Sequence, residues 1–255
     1  MDQFIKINSL KKVFGEGEDE VHAFGPVDIS IKSGEFVSVL GPSGCGKSTL
    51  MLMMAGLLEP TSGEIYFDDK SVSGPKNDIG IMFQDNTLVP WRTVEGNIKL
   101  QLELRNLDIS KYKDKIINIL KSVKLEDFAN RYPSELSGGM QQRAAFCQAM
   151  IHEPNTILLD EPLGKLDAMT REKIRSDIQN LWMINKPTVI FVTHSIEEAV
   201  QLSSRVILIS PRPGIVDREI NIDLPYPRDL SVKRSNKFFQ YVHEIQEVFH
   251  EYGVI

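Results

Sequence analysis

Apolar and polar residues alternate in two segments near the amino terminus, residues 4–7 and 27–31. A period of two predicts β-strands that bury one face. An acidic loop that contains glycine, residues 15–20, separates the two segments. We therefore predict a small antiparallel sheet at the start of the chain.

Farther along the chain, short apolar runs alternate with longer segments whose apolar residues have helical spacing. The predicted strands are residues 36–40, 64–67, 78–83, 156–160, 188–193 and 206–210, of which 64–67 and 78–83 are expected to form a pair. The predicted helices are residues 49–58, 113–123, 141–151 and 169–184, and one more that begins at residue 196. This alternation predicts an α/β fold with a mainly parallel sheet, and the helices between residues 86 and 152 are predicted to form an inserted subdomain.

The end of the chain has a helical pattern of its own, because Phe238, Val242, Ile245 and Phe249 recur at helical intervals. We predict an amphipathic helix within a tail, residues 226–255, that follows a single domain over residues 1–225. Packing of this helix on the domain is the main interpretation, and a regulatory contact is the alternative.

Composition restricts the class of protein. The chain has 255 residues, of which 42% are hydrophobic and 25% charged, and no run approaches the ~20 apolar residues of a membrane-spanning helix. The net charge is −6 and no long Lys/Arg tract is present, so a nucleic-acid partner is not expected. Cys45 and Cys147 are the two cysteines, without metal-type spacing, and the amino terminus has no signal-peptide pattern, which favours a reducing cytoplasm.

The sequence GPSGCGKS follows the apolar run 36–40 and opens a predicted helix, which is the context of a phosphate-binding loop. Its glycines let backbone N–H groups converge on phosphate oxygens, and the start of the helix adds partial positive charge. Lys47 is expected to contact the β- and γ-phosphates, and Ser48 to ligate Mg²⁺. The residues predicted to bind nucleotide here are Gly41, Pro42, Ser43, Gly44, Cys45, Gly46, Lys47, Ser48 and Thr49. Cys45 is expected to be a small loop residue, with a reactive thiol as the alternative.

Polar groups end three of the predicted strands. Asp160 and Glu161 follow an apolar run, where two carboxylates without a metal would be costly to bury. Asp160 is expected to hold Mg²⁺, and Glu161 to take a proton from the attacking water. Gln84 and His194 end two more predicted strands, so they are expected at the same carboxyl edge of the sheet.

The run Leu136-Ser137-Gly138-Gly139-Met140-Gln141-Gln142-Arg143 resembles the signature of the ATP-binding cassette (ABC) ATPases. The resemblance implies a P-loop NTPase core with an amino-terminal antiparallel β-subdomain and an inserted helical subdomain. It also implies that Ser137, Gly138, Gly139 and Gln141 complete the nucleotide site of another copy, so that a homodimer holds two ATP and two Mg²⁺. A Schellman-type turn is the alternative explanation of the two glycines.

The same resemblance assigns roles to three further residues. Gln84 matches the glutamine that contacts Mg²⁺ or water, and His194 matches the histidine that contacts the γ-phosphate. Phe14 stands where the family has the aromatic residue that stacks on adenine, and a core strand residue is the alternative. Lys47, Gln84, Glu161 and His194 are thus the predicted catalytic residues, and Ser48, Gln84 and Asp160 the predicted metal ligands.

Further segments resemble the import ATPases for nitrate, sulfonates, taurine and bicarbonate. These segments are LVPW at residues 88–91, LDAMTR at 166–171, PRPG at 211–214, DLP at 223–225 and PRD at 227–229. The resemblance implies a peripheral subunit on the cytoplasmic side of the cell membrane. Its partners would be permease subunits that dock on residues 86–92 and, indirectly, a periplasmic or lipid-anchored solute-binding protein.

The docking segment, the class of ATPase and the tail each have an alternative interpretation. A proline turn anchored by Trp91 would also explain residues 86–92, and a soluble ABC-class ATPase for assembly or cofactor biogenesis would share every catalytic motif. The tail could also contact the permease. Lys165 stands where the family usually has a small residue, and Gln148 where it commonly has a basic one. The acidic loop at residues 16–20 is also longer than is usual in the family. All three departures bear on coupling, and the transported solute is not encoded.

Overall fold

A computed structural model of the protein describes residues 3–85, 87–164 and 166–254. The chain divides into two compact units. The first unit consists of Met1–Lys76 and Lys186–Ile255, and the second of Asn77–Asn185. Among the described residues, no helix is both long enough and apolar enough to cross a membrane.

Strands and helices alternate along most of the chain. Within the described ranges the strands are β1 (Gln3–Phe14), β2 (Val21–Lys32), β3 (Phe36–Leu40), β4 (Ser62–Phe67), β5 (Lys70–Ser71), β6 (Ile79–Met82), β7 (Thr156–Asp160), β8 (Thr188–Thr193), β9 (Arg205–Ile209) and β10 (Val216–Asn221). The α-helices are α1 (Lys47–Met54), α2 (Val94–Leu104), α3 (Lys113–Ser122), α4 (Gly138–Met150), α5 (Ala168–Asn185), α6 (Ile196–Leu202), α7 (Leu230–Lys233) and α8 (Asn236–Glu251).

The predicted antiparallel sheet at the start of the chain is confirmed. It lies in the first unit with the strand order β2-β1-β4-β5. The predicted pairing of residues 64–67 with 78–83 is wrong, because β4 pairs with β1 and β5 whereas β6 pairs with β7. In β4, Ile65 and Phe67 are buried and Tyr66 between them is partly exposed, which suits a sheet with one solvated face, whereas β6 is buried at most positions, as parallel strands are.

A second sheet of the first unit contains the strand that leads into the phosphate loop. β3 is parallel to both β8 and β9, and β10 closes this part antiparallel to β9. Every residue of β3 and β8 is buried, which explains why both appear in the sequence as continuous apolar runs.

The tail packs into the first unit, as the main interpretation predicted. Helix α8 buries Phe238, Ile245, Val248 and Phe249 in one apolar cluster with residues of α6, β9 and β10. Each such side chain contributes roughly 1.5–3 kcal/mol when fully buried. The tail helix therefore belongs to the core of this unit.

A buried arginine fastens the segment before α8 to the end of α6. The Arg228 side chain is 1% exposed. Its Nη1 donates hydrogen bonds to the carbonyl oxygens of Val200 and Ser203 at 2.7 and 2.6 Å, and its Nη2 to those of Ile222 and Leu224 at 3.1 and 3.2 Å. One guanidinium thus holds two separate stretches of chain, because its donors point in several directions.

In its described residues, the second unit contains the parallel pair β6 and β7 and the α-helices α2, α3, α4 and α5. Helices α2, α3 and α4 fall within residues 86–152, the range of the predicted helical subdomain. Helix α2 packs on α4 with Val94, Ile98 and Leu102 buried. Helix α5 follows the turn after β7.

Candidate nucleotide-binding site

The phosphate loop joins the buried strand β3 to α1. Gly46 caps α1 in the left-handed region, with φ of 99°, which a residue with a side chain rarely adopts. Lys47, 5% exposed, donates hydrogen bonds from Nζ to the carbonyl oxygens of Gly41 and Pro42, both at 2.8 Å. The loop thus surrounds the ammonium group of Lys47 at the start of a helix, a position where anions bind.

Cys45 lies within this loop and is buried. Its Sγ is 3.9 Å from Lys47 Nζ, yet burial outweighs the nearby charge and raises the pKa of the thiol. A thiol kept protonated is a poor nucleophile. The structure therefore favours the small loop residue over the reactive thiol.

The turn at residues 211–214 packs against the phosphate loop. Gly214 accepts a hydrogen bond at its carbonyl from the backbone N–H of Gly25 at 2.8 Å. A Cβ on Gly214 would overlap the carbonyl of Cys45. The backbone of Cys45 therefore comes so close that position 214 of the PRPG segment requires a glycine. The sequence pattern did not indicate this role.

His194 follows the carboxyl end of β8, at the edge where the phosphate loop follows β3. β3 and β8 are parallel, and Leu40 is paired with Thr193, so Gly41 and His194 follow neighbouring positions. The His194 side chain is exposed. The carboxyl edge of parallel strands is where ligands bind in such sheets.

A capping network that the sequence analysis missed fixes the start of α6 next to His194. Thr193 Oγ1 donates to Oε2 of buried Glu198 at 2.7 Å and accepts a hydrogen bond from the backbone N–H of Ser195 at 3.0 Å. Ser195 Oγ accepts from the N–H of Glu198 at 3.4 Å. The spacing Ser-x-x-Glu is the signal that could have identified this cap.

In the second unit, β6 and β7 place Gln84 and Glu161 at one edge. The two strands are parallel with Met82 paired to Leu159, and Gln84 Nε2 donates to Glu161 Oε2 at 3.4 Å. Glu161 has φ of 43°, a strained conformation for a residue with a side chain. Asp160, the last residue of β7, is buried beside it.

The predicted metal ligands offer oxygen atoms, which Mg²⁺ prefers. They are the hydroxyl of Ser48, the amide oxygen of Gln84 and the carboxylate of Asp160. In the part of the chain that the structure describes, no group of three or more His, Cys, Asp and Glu side chains is placed to hold a metal. One carboxylate with neutral oxygens fits Mg²⁺, because this ion keeps water and phosphate oxygens in its coordination shell.

The signature forms the start of helix α4 in the second unit. Ser137 is the N-cap, and its Oγ accepts a hydrogen bond from the N–H of Met140 at 3.4 Å. Ser137 and Gly138 are exposed. The Schellman-type turn is therefore wrong, because such a turn ends a helix, whereas these glycines begin one with their N–H groups unused by the helix.

Gln141 and Phe14 have different surroundings. Gln141 Nε2 donates to the carbonyl of Pro133 at 2.7 Å, so this side chain supports the turn before the signature. Phe14 ends β1 with 43% of its surface exposed, and Lys12 Nζ is 5.2 Å from the centre of its ring. An exposed ring at the end of a strand is available for stacking, and it is not the core residue of the alternative.

The predicted docking segment, residues 86–92, presents a tryptophan to solvent. Asn86 lies outside the described residues, while Trp91 is 78% exposed and so cannot anchor the turn. Asn97 anchors it instead: its Oδ1 accepts from the N–H of Val89 at 2.7 Å, and its Nδ2 donates to the carbonyl of Arg92 at 3.1 Å. The alternative of a turn anchored by Trp91 is thus wrong.

Among the departures from the family pattern, Lys165 lies outside the described residues. Gln148 is buried in α4. An uncharged amide at this buried position avoids the cost of placing a cation there.

The chain is similar to known proteins over most of its length. The family model "ABC transporter" matches residues 24–164. An uncharacterized ABC transporter ATP-binding protein of Methanocaldococcus jannaschii is 41% identical over 96% of this chain and 90% of its own length. The aliphatic sulfonates import ATP-binding protein of Bacillus cereus is 41% identical over 98% of this chain and 96% of its own.

Two solved structures have the same fold. A dimeric ATP-binding cassette in a post-hydrolysis state bound to ADP and Pi has a TM-score of 0.75 and 35% identity, over 86% of this chain and 98% of that chain. CbiO1 from Clostridium perfringens, part of the ABC transporter complex cbiONQ, has a TM-score of 0.77 and 26% identity over 98% of both chains. The predicted α/β fold class is thereby confirmed.

Proposed function

We propose that two copies of this chain hydrolyse ATP to power an importer for a small solute. The chain belongs to the ABC transporter family and is one of its ATPases. The observation that carries the proposal is the 41% identity to an aliphatic sulfonates import ATP-binding protein over 98% of the chain. Similarity over so much of the chain includes the docking segment and the tail, the parts that a soluble ABC-class ATPase need not share.

The phosphate loop binds the β- and γ-phosphates of ATP in this proposal. Lys47 already donates to two carbonyl oxygens of the loop, and phosphate oxygens are stronger acceptors for the same ammonium. Backbone N–H groups at the start of α1 would add neutral donors. Phe14 stacks on the adenine and so fixes the far end of the nucleotide.

Glu161 acts as the general base. Its carboxylate accepts a proton from the water whose oxygen bonds to the γ-phosphorus as the bond to the β-phosphate oxygen breaks. The hydrogen bond from Gln84 holds this carboxylate in place. Mg²⁺, held by Ser48, Gln84 and Asp160, would neutralise phosphate charge, and His194 would donate to a γ-phosphate oxygen.

The signature acts on the ATP of the partner copy. Ser137 and Gly138 present a hydroxyl and backbone N–H groups at the exposed start of α4, which suits a γ-phosphate. Closure of the dimer then depends on ATP, and hydrolysis releases it. Each cycle of closure and opening is a population shift that a permease can use.

Residues 86–92, which include the exposed ring of Trp91, are the proposed docking surface for permease subunits. The chain would lie peripherally on the cytoplasmic side of the cell membrane and act indirectly with a solute-binding protein. We place the solute among oxyanions and sulfonates such as nitrate, sulfonate, taurine or bicarbonate. The binding protein and the permease select it.

Co-purification from membranes tests the importer. The tagged chain should sediment with a permease, and the solute-binding protein of the same complex should raise ATP hydrolysis when its own ligand is added. Trp91→Ala should lose the permease while ATP hydrolysis by the isolated chain is kept. A chain that never sediments with a membrane partner would instead favour the soluble ABC-class ATPase.

A further inference from the structure

Thr170, near the start of α5, contacts two parts of the second unit with the two branches of its side chain. Its hydroxyl is hydrogen-bonded to the carboxylate of Asp167. Asp167 Oδ1 also accepts from the backbone N–H groups of Met169 and Thr170, both at 3.1 Å. The other branch, the methyl carbon Cγ2, lies against Gly139 of the signature, where a Cβ would overlap it.

This contact has little freedom to adjust. Threonine is branched at Cβ, so its hydroxyl and methyl groups rotate together about one bond. Moving the methyl away from Gly139 would therefore break the hydrogen bond between the hydroxyl and Asp167. The neighbouring Gly138 has open space instead, since a Cβ there would meet nothing within 4 Å. The close fit is a property of Gly139 alone within this pair.

Asp167 is in turn connected to the catalytic carboxylate by a short turn. The backbone N–H of Gly164 donates to the carbonyl of Glu161 at 3.1 Å, and that of Leu166 to the carbonyl of Leu163 at 3.3 Å. Arg171 donates from Nη2 to the carbonyl of Leu166 at 2.9 Å, which ties this turn to α5. Hydrogen bonds thus join Glu161 to Gly164 and Leu163 to Leu166, and they join Leu166 and Asp167 to the start of α5.

We propose that Thr170 is a positioning residue that ties the turn after Glu161 to the signature residues Ser137, Gly138 and Gly139 of the same chain. The proposal rests on the function proposed above, in which the signature acts on the ATP of the partner copy. Thr170 then links the site where a chain hydrolyses ATP to the site that it completes in its partner. A shift of the turn during hydrolysis changes the position of the signature through this side chain.

Dimerisation driven by ATP, measured by sedimentation in a Glu161→Gln background, tests the proposal. Gly139→Ala should weaken the dimer at least about tenfold, because the added methyl meets that of Thr170. Adding Thr170→Ser, which removes the methyl and keeps the hydroxyl, should restore the affinity to within about threefold. Thr170→Val, which keeps the methyl and loses the hydroxyl, should not restore it.

Gly138→Ala supplies the matched control. If Gly138→Ala weakens the dimer, adding Thr170→Ser should not restore the dimer affinity, since a Cβ at position 138 meets nothing within 4 Å. Thermal unfolding of each variant within about 3 °C of its parent shows that the differences arise in the dimer and not in folding.

The outcomes separate the two proposals. If the Glu161→Gln protein does not dimerise with ATP, the shared site is wrong and the role of Thr170 falls with it. If it dimerises but Gly139→Ala has no effect, or Thr170→Ser fails to restore Gly139→Ala, the role of Thr170 alone is overturned.

Discussion

Gln84 Nε2 donates a hydrogen bond to Glu161 Oε2 at 3.4 Å, so the amide that follows β6 holds the carboxylate that follows β7. Glu161→Gln keeps the size and an acceptor oxygen but removes the base. We expect ATP binding to be unchanged and turnover to fall at least about 100-fold. The ATP-bound protein should then remain a dimer. Phosphate release and sedimentation measure the two effects, and turnover at the wild-type rate would remove Glu161 from its role.

The exposed start of α4 leads to a prediction about the shared site. Ser137→Arg places a long cation at the N-cap and should block ATP-driven dimer closure, while the affinity of the monomer for ATP stays within about threefold. Ser137→Ala is the control, because it loses the same cap bond, worth about 1 kcal/mol, without adding bulk. Dimerisation that persists in Ser137→Arg would count against a site shared between copies.

The ring of Phe14 should contribute to nucleotide affinity. Phe14→Ala is expected to weaken ATP binding by about tenfold, since stacking on a base is worth roughly 1–3 kcal/mol. Phe14→Tyr, which keeps the ring, should bind within about twofold of the wild type. Titration of a fluorescent ATP analogue measures both, and equal affinity of Phe14→Ala and wild type would exclude the stacking role.

Arg228 should contribute strongly to stability. Arg228→Met leaves buried carbonyl oxygens without donors and is expected to lower the free energy of unfolding by at least about 3 kcal/mol. Arg234→Met, at an exposed position nearby, should change it by less than about 0.5 kcal/mol. Urea denaturation provides the comparison. Similar midpoints for the two variants would show that the carbonyl contacts contribute little.

His152 should make the protein less stable in mild acid. Burial, together with the charge of Arg105, lowers the pKa of this imidazole from 6.5 to about 4. The unfolded chain therefore binds a proton below pH 6.5 that the folded chain does not, and stability is lost as the pH falls from 6.5 toward 4. Because the side chain is only partly buried, we expect about 1–2 kcal/mol.

His152→Gln isolates this contribution. The variant cannot take up the proton, so its free energy of unfolding should depend less on pH over that interval than that of the wild type. Urea denaturation at several pH values measures the slope. Identical slopes in the two proteins would show that His152 titrates normally in the folded state.

The limits of the sequence are clearest at particular elements. β7 and β8 have the predicted bounds because a buried parallel strand is a continuous apolar run between turns. β10, whose sequence is VDREIN, was not predicted, because an exposed strand beside β9 needs no apolar alternation. Helix α4 begins at Gly138 and not at residue 141. The hydrogen bond from the N–H of Met140 to Ser137 Oγ caps the helix before the two glycines, so they form its first turn.

The sequence by itself determined the α/β class, the phosphate loop, and the residue types at the strand ends, because burial patterns and loop chemistry are local properties of the chain. Only the tertiary structure decided that Thr170 fits against Gly139, that Asn97 and not Trp91 anchors residues 87–92, and that Arg228 holds the end of α6. These contacts join residues that the pattern along the chain does not relate. Their partners are set by how the elements pack, and packing depends on the shapes of many side chains at once.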